Sequence, residues 1–117
     1  MQKGSKVQSG KPVIDLKEKY LRTLRELLEQ YMPKAEVWAY GSRVSGEAHE
    51  GSDLDLVVRN PIEPASPVPN VSALRSALRE SDLPIVVEVV DWAEVPEVFR
   101  DEIERDYMVL KDGFYRK

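Results

Sequence analysis

The stretch YGSRVSGEAHEGSDLDLVV, residues 40–58, decides the fold of this chain. It contains the end of a β-favouring run at 36–40, which predicts one strand, and a second predicted strand at 53–58. The polar segment between them predicts a short helix and a loop. Asp53 and Asp55 lie at positions i and i+2, so they share one face of the second strand. This strand therefore presents two carboxylates on one side and apolar side chains on the other.

Apolar periodicity on either side of this stretch predicts the remaining elements. Before it, apolar residues recur every three or four positions, which indicates an amphipathic helix that starts near Pro12 and ends before Pro33. The elements predicted after it are, in order, a proline-rich loop at 60–70, a helix at 71–81 capped by Asn70, a third strand at 85–90, a helix from Pro96 and a short strand at 108–110. This order predicts an α+β fold of two layers, with helices packed on a small mixed central sheet.

Composition excludes several classes of function. A formal net charge of −4 argues against unselective binding to duplex nucleic acid, because that requires many Lys and Arg residues at the phosphates. The chain has no cysteine, which rules out disulfides and thiolate metal sites. No apolar run is long enough for a signal peptide or a membrane helix, so we expect a cytoplasmic protein with no membrane partner and no direct nucleic-acid partner. We expect residues 1–11 to be a flexible N-terminus and residues 12–117 to form a single domain.

A third carboxylate lies in the predicted strand at 85–90. Glu88 is flanked there by apolar residues, as in a strand that is buried on both faces. A buried carboxylate must be neutralised, paired or bound to a metal, so Glu88 could pair with an arginine or join Asp53 and Asp55. If the strands are neighbours with aligned faces, the three carboxylates converge and raise one another's pKa. Such a cluster is stable chiefly around a cation, and hard oxygen ligands with open positions suit Mg²⁺.

Gly41 and Ser42 form a second candidate site, at the end of the first predicted strand. Glycine allows the backbone to approach a ligand closely, and the following helix presents free N–H groups to an anion. Ser42 could cap this helix, contact a phosphate, or do both. A phosphate-binding turn close in sequence to a pair of Mg²⁺-binding carboxylates fits a nucleoside triphosphate with its metal.

The spacing of these residues resembles a known signature. Gly41-Ser42, ten intervening residues and Asp53-Leu54-Asp55 resemble the GS-x10-DxD pattern of the DNA polymerase β-like nucleotidyltransferase superfamily. Within it, the length and the whole string at 40–58 are similar to the minimal nucleotidyltransferases, which are paired with HEPN partners in prokaryotic toxin–antitoxin operons. The resemblance runs from about Val37 to Leu110. Glu88 matches the family's third carboxylate, with Glu in place of the usual Asp.

The resemblance implies a reaction and a role for each residue. Asp53 and Asp55 would hold two Mg²⁺ ions, and Glu88 would complete one metal site and help to deprotonate an acceptor hydroxyl. Gly41, Ser42 and Arg43 would bind the triphosphate of ATP, although Arg43 could instead be a surface charge. AMP would pass to a hydroxyl of a HEPN-family toxin, the expected hetero-oligomeric partner, and would silence it.

Two other functions remain open from the sequence. The chain could be a binding module that neutralises a partner by contact, with a residual site. It could also be a transferase acting on a small molecule such as an aminoglycoside, although such relatives carry an added helical domain for which 117 residues leave no room.

Four residues outside the motif have a structural interpretation. Asp91 lies on the opposite strand face from Glu88 and is expected to cap a turn. His49 is expected to be exposed in a loop and not to bind a metal. Trp38 and Trp92 are expected in the core, although one of them could border a pocket for the base.

Overall fold

A four-stranded mixed sheet organises the computed structural model, which describes residues 14–113. The elements in chain order are α1 (Glu18–Tyr31), β1 (Glu36–Tyr40), α2 (Ser42–Ser45), β2 (Leu54–Arg59), α3 (Val71–Arg79), β3 (Val87–Asp91), a short 3-10 helix (Trp92–Glu94), α4 (Glu97–Arg105) and β4 (Tyr107–Lys111). The strand order is β3-β2-β1-β4. The predicted α+β fold with helices on a small mixed sheet is confirmed.

The pairing of the strands follows from their connections. β1 runs antiparallel to β2 and to β4, whereas β2 and β3 are parallel. A parallel pair needs a crossover, and the segment that contains the proline-rich loop and α3 provides it. The register aligns Tyr40 with Asp55, and Asp55 with Glu88. These three side chains therefore stand in one row on the same face of the sheet.

The main hydrophobic core lies on the other face of the sheet, under α1 and α3. Leucines of these helices pack on the apolar side chains that β2 directs away from its carboxylate. The fully buried core residues include Leu24 and Leu28 of α1, Leu54 and Leu56 of β2, and Leu74 of α3. Each such side chain contributes roughly 1.5–3 kcal/mol relative to an exposed position.

A smaller cluster covers part of the carboxylate-bearing face. Trp38 and Trp92 meet edge to face with centroids 5.2 Å apart, and Tyr107 stacks on Trp38 at 4.2 Å. Val57 and Ile103 also belong to this cluster. Because Ile103 lies on α4, this helix packs on the carboxylate-bearing face of the sheet. The prediction that both tryptophans belong to the core is confirmed. Because this cluster covers the sheet around Val57, the row that contains Asp55 lies beside it rather than beneath it.

The first helix begins later than predicted. Position 12 lies outside the described residues, and residues 14–17 are not helical, so α1 begins at Glu18. The cause is a main-chain contact to α2, in which Asp15 N–H donates to the carbonyl of Arg43 at 2.7 Å. The Arg43 guanidinium donates in turn to the carbonyl of Asp15. These bonds hold the segment in a non-helical conformation. The predicted flexible N-terminus, 1–11, lies outside the described residues.

Two predictions about the second half of the chain are wrong in detail. The third strand was predicted to be buried on both faces, but β3 lies at the edge of the sheet. Glu88 and Val86 are accordingly exposed. Asn70 occupies the N-cap position of α3, but its side chain makes no capping hydrogen bond. Its φ of 71° lies in the left-handed region, which asparagine tolerates better than most residues. Among residues 14–113, no helix has the length and apolar character to cross a membrane.

Candidate active site

Asp55 is the centre of the carboxylate cluster. It lies on β2 between Tyr40 of β1 and Glu88 of β3, directly opposite each of them. β2 begins at Leu54, one residue later than predicted, so Asp53 precedes the strand and is exposed. Burial, and then the charges of Asp53 and Glu88, raise the pKa of the Asp55 carboxyl. The structure therefore brings Asp53 and Glu88 close enough to Asp55 for their charges to act on its carboxyl.

Such a cluster fits a cation that shares its ligands with a substrate. Within residues 14–113, no three acidic or histidine side chains enclose an ion-sized site on their own. Mg²⁺ commonly takes one or two protein carboxylates and completes its shell with substrate phosphates and water. Asp53 and Asp55 are two such carboxylates. Burial, and after it the neighbouring negative charges, raise the pKa of Asp55, and a divalent cation would relieve the second of these causes. A role for Glu88 as a third ligand stays a prediction.

Gly41 brings the backbone against the Asp55 carboxylate. Its φ of 85° and ψ of −158° lie in a region that is essentially restricted to glycine. A Cβ atom placed on Gly41 would lie 2.5 Å from Oδ2 of Asp55. The first turn of α2 therefore begins directly beside the carboxylate.

Ser42 is the first residue of α2 and is half-buried. The N-cap of this helix is Gly41, which has no side chain. Ser42 therefore follows the N-cap position, so its predicted role as the cap is wrong. Its predicted contact with a phosphate stays a prediction. The N–H groups of Val44 and Ser45 donate to the carbonyl of Gly41 at 3.0 and 2.9 Å. The backbone donors that have no acceptor within α2 are therefore the N–H groups at its start, those of Ser42 and Arg43.

Arg43 is buried and holds the loop that leads into the site. Only 7% of the residue is exposed, so the alternative of a surface charge is wrong. Its guanidinium donates to four main-chain carbonyl oxygens, those of Asp15 (2.7 Å), His49 (3.4 Å), Glu50 (3.1 Å) and Ser52 (3.0 Å). Because Ser52 directly precedes Asp53, Arg43 fixes the backbone that carries this carboxylate. Phosphate binding by Arg43 stays a prediction, and these contacts give the residue a positioning role.

Glu88 and Asp91 lie on β3 and have different environments. Glu88 is exposed, so the prediction of a buried carboxylate is wrong, and it forms no ion pair within residues 14–113. Asp91 is only 6% exposed, and its carboxylate accepts from Ala93 N–H at 3.0 Å and Val68 N–H at 2.9 Å. Asp91 thus caps the 3-10 helix and ties the proline-rich loop to the sheet, as its structural interpretation predicts. The exposed carboxylate of Glu88 is available to a group that approaches from solvent.

His49 is exposed, as predicted. The Nδ1 atom of its imidazole accepts a hydrogen bond from Gly51 N–H at 3.2 Å. The main-chain N–H of His49 donates to the Ser52 hydroxyl at 2.9 Å. The imidazole therefore shapes the loop between α2 and β2.

Sequence reasoning missed the aromatic side of the site. Burial, and then the charges of Asp55 and Glu88, raise the pKa of the Tyr40 hydroxyl to about 12. The ring of Phe99 from α4 meets the ring of Tyr40 edge to face, with centroids 6.2 Å apart. Strand alternation from Trp38 could have placed Tyr40 on this face, but no local pattern signals the contact with Phe99.

Comparison with known proteins agrees with this geometry. The model of the nucleotidyltransferase domain family matches residues 21–113. The probable protein adenylyltransferase MntA of Haemophilus influenzae is 39% identical over 99 residues, which are 85% of each chain. Poly(A) RNA polymerase protein 2 of Saccharomyces cerevisiae is 30% identical over 90 residues, 77% of this chain but 15% of that protein. A crystal structure of a toxin-antitoxin with AMP-PNP shares the fold, with a TM-score of 0.63 and 24% identity over 79% of this chain and 73% of that chain.

Proposed function

This chain belongs to the nucleotidyltransferase domain family, and from that membership we propose that it transfers AMP from ATP to a hydroxyl group of a partner protein. The observation that carries the proposal is the row in which Asp55 stands beside Glu88, with Asp53 close by and Gly41 against the carboxylate. The identity to a probable protein adenylyltransferase supports a protein as the acceptor.

Nucleotide binding uses the two ends of the site. Asp53 and Asp55 would hold two Mg²⁺ ions with the triphosphate, whereas Ser42 and the backbone donors of α2 would contact its β- and γ-phosphates. Bound Mg²⁺ offsets the negative charge of the triphosphate and the charge that develops during transfer. The backbone around Gly41 and the loop held by Arg43 keep these groups at fixed positions before the substrate arrives.

Glu88 acts on the acceptor. Its exposed carboxylate accepts the proton of the incoming hydroxyl, and the oxygen attacks the α-phosphorus of ATP in line. A new P–O bond forms to the acceptor, the bond between the α-phosphorus and the bridging oxygen breaks, and pyrophosphate leaves. Glutamate at this position reaches one methylene further than the usual aspartate.

The proposed partner is a HEPN-family toxin that forms a hetero-oligomer with this chain in the cytoplasm. Two findings support it: the MntA relative is a probable protein adenylyltransferase, and a structure with this fold is a toxin-antitoxin with AMP-PNP. Addition of AMP to a tyrosine, serine or threonine hydroxyl of the toxin would silence it.

A transfer assay tests the proposal. The chain is incubated with a candidate HEPN-family partner and with ATP labelled at the α-phosphate, with and without Mg²⁺. We expect Mg²⁺-dependent label on the partner, and none with the variant Asp53→Asn, Asp55→Asn. An unlabelled partner whose activity is nevertheless blocked would contradict transfer and would favour neutralisation by contact.

A further inference from the structure

Two apolar side chains in the first turn of α4 are exposed. Val98 is 78% exposed and Phe99 is 42% exposed, although the same helix buries Ile103 in the smaller core cluster. Val98 is largely free of packing within the chain, whereas Phe99 is partly covered through its contact with Tyr40. Exposed apolar side chains that adjoin one another and are surrounded by polar residues are typical of surfaces that contact another molecule.

This apolar pair borders the candidate active site. The Phe99 ring contacts the Tyr40 ring. Tyr40 of β1 lies directly opposite Asp55 of the neighbouring strand β2, at a Cα separation of roughly 4.5–5.5 Å. Phe99 is therefore one side chain away from the central carboxylate. A macromolecule that brings a hydroxyl to this row of side chains is therefore within reach of α4.

Acidic residues surround the pair. Residues 94–106 contain six Asp or Glu residues against two Arg residues. Asp101 and Glu102 are exposed and follow Val98 by three and four positions, which places them beside it on the helix surface. Of the two cations, Arg100 donates to the carbonyl of Trp92 at 2.9 Å, and Arg105 pairs with Glu102 at 3.4 Å. Asp101 forms no ion pair within residues 14–113. Six acids against two arginines leave this segment negative, so the surface combines an apolar centre with a negative rim.

We propose that Val98, Phe99, Asp101 and Glu102, here named the α4 surface, bind the acceptor-bearing segment of the protein substrate. The segment that fits is apolar next to its hydroxyl residue and carries Lys or Arg on either side. Opposite charges at the rim steer association and set the register, while the apolar centre supplies most of the affinity. This inference rests on the proposed function, because it concerns the second substrate of the same site.

The charge and the shape of the α4 surface favour this occupant over the nucleotide. A negative rim repels a polyphosphate and attracts a basic segment. Adenine could stack on Phe99, but a single planar ring would leave Val98 without a contact. The two residues should therefore act together if a protein segment binds, and separately if a base does.

Association measurements test the inference. Binding of the candidate HEPN-family partner is measured for the wild type, Val98→Ser, Phe99→Ser and Asp101→Lys, with Mg·ATP affinity and AMP transfer followed in parallel. Matched controls are Ile62→Ser, at a residue 79% exposed, and Glu63→Lys, an exposed acid next to it in the proline-rich loop. Val98, Asp101, Ile62 and Glu63 are exposed, so we expect unchanged melting temperatures for their variants. Phe99→Ser loses the ring contact with Tyr40 and should melt lower, so all binding is measured at a temperature where every variant is folded.

The inference predicts that each α4 variant weakens partner binding by about tenfold or more and leaves Mg·ATP affinity unchanged. Asp101→Lys should also reduce the salt dependence of binding, and the two control variants should match the wild type. Wild-type partner binding by all three α4 variants would overturn the inference while wild-type transfer upholds the proposed function. Loss of ATP affinity in Phe99→Ser alone would assign that ring to the base instead. Wild-type protein that neither binds nor modifies the partner would overturn the proposed function and this inference together.

Discussion

Replacement of Gly41 by alanine is the sharpest test of how the backbone shapes the site. The new methyl group would begin 2.5 Å from Oδ2, 3.4 Å from Cγ and 3.5 Å from Cβ of Asp55. Real Cβ contacts below about 3.0 Å essentially do not occur, so the carboxylate or the backbone must move by about half an ångström or more. Both atoms of this contact belong to the proposed nucleotide site. We therefore expect a loss of activity in addition to a loss of stability.

The size of each effect follows from the geometry. A non-glycine residue in this backbone region costs roughly 1–3 kcal/mol, and in a domain of this size each kcal/mol lowers the melting temperature by about 4–6 °C. We expect Gly41→Ala to melt roughly 5–15 °C below the wild type. Misplacement of a reacting group by an ångström can cost about 100-fold in rate, so a shift of half that size predicts a loss of about tenfold or more.

Gly46→Ala is the matched control. Gly46 also has a positive φ, 92°, but no atom lies within 4 Å of the position of an added Cβ. This variant should lose stability through backbone strain and keep its rate of AMP transfer. Both variants are compared with the wild type by thermal denaturation and by single-turnover transfer at a temperature where all are folded. A wild-type transfer rate in Gly41→Ala would refute the view that this contact positions Asp55.

Three further variants separate charge, positioning and chemistry. The variant Asp53→Asn, Asp55→Asn should abolish transfer, yet without metal at neutral pH it should melt at or above the wild-type temperature. The pKa of Asp55 is raised in the native state, so the native state binds this proton more tightly than the unfolded state. The free energy of unfolding of the wild type should therefore increase as the pH falls through that pKa, and the variant should show no such increase. Arg43→Met should lower the free energy of unfolding by roughly 2–4 kcal/mol in urea titrations, because it removes charged donors from four carbonyls. An unchanged free energy of unfolding would contradict the positioning role of Arg43. Glu88→Gln should lower the single-turnover rate by about 10²–10⁴-fold and keep ATP affinity, whereas a wild-type rate would assign the proton to another base.

Local pattern was enough to predict the sheet and the central carboxylates. The run at 36–40 is β1 as predicted, and the alternation at Asp55 correctly separated the apolar face of β2 from its polar face. Alternation also correctly assigned Asp91 to a turn rather than to the site. These predictions depend on a period of two residues and on side chains close in sequence.

Features that depend on strand order or on distant contacts were not predictable in this way. An apolar run around Glu88 is typical of a central strand, and only the order β3-β2-β1-β4 shows that β3 lies at an edge. Arg43 makes its bonds with Asp15 and with the loop that ends at Ser52, and no spacing pattern signals a buried guanidinium. The contact of Phe99 with Tyr40 joins residues 59 positions apart in the sequence.

The most direct test of the central claim is the intact mass of the partner protein after incubation with this chain, ATP and Mg²⁺. The account predicts a mass increase of one or more AMP units, located by fragmentation at a hydroxyl side chain. The increase should disappear without Mg²⁺ and with the variant Asp53→Asn, Asp55→Asn. An unchanged partner mass in the presence of well-folded wild-type chain and Mg·ATP would contradict it.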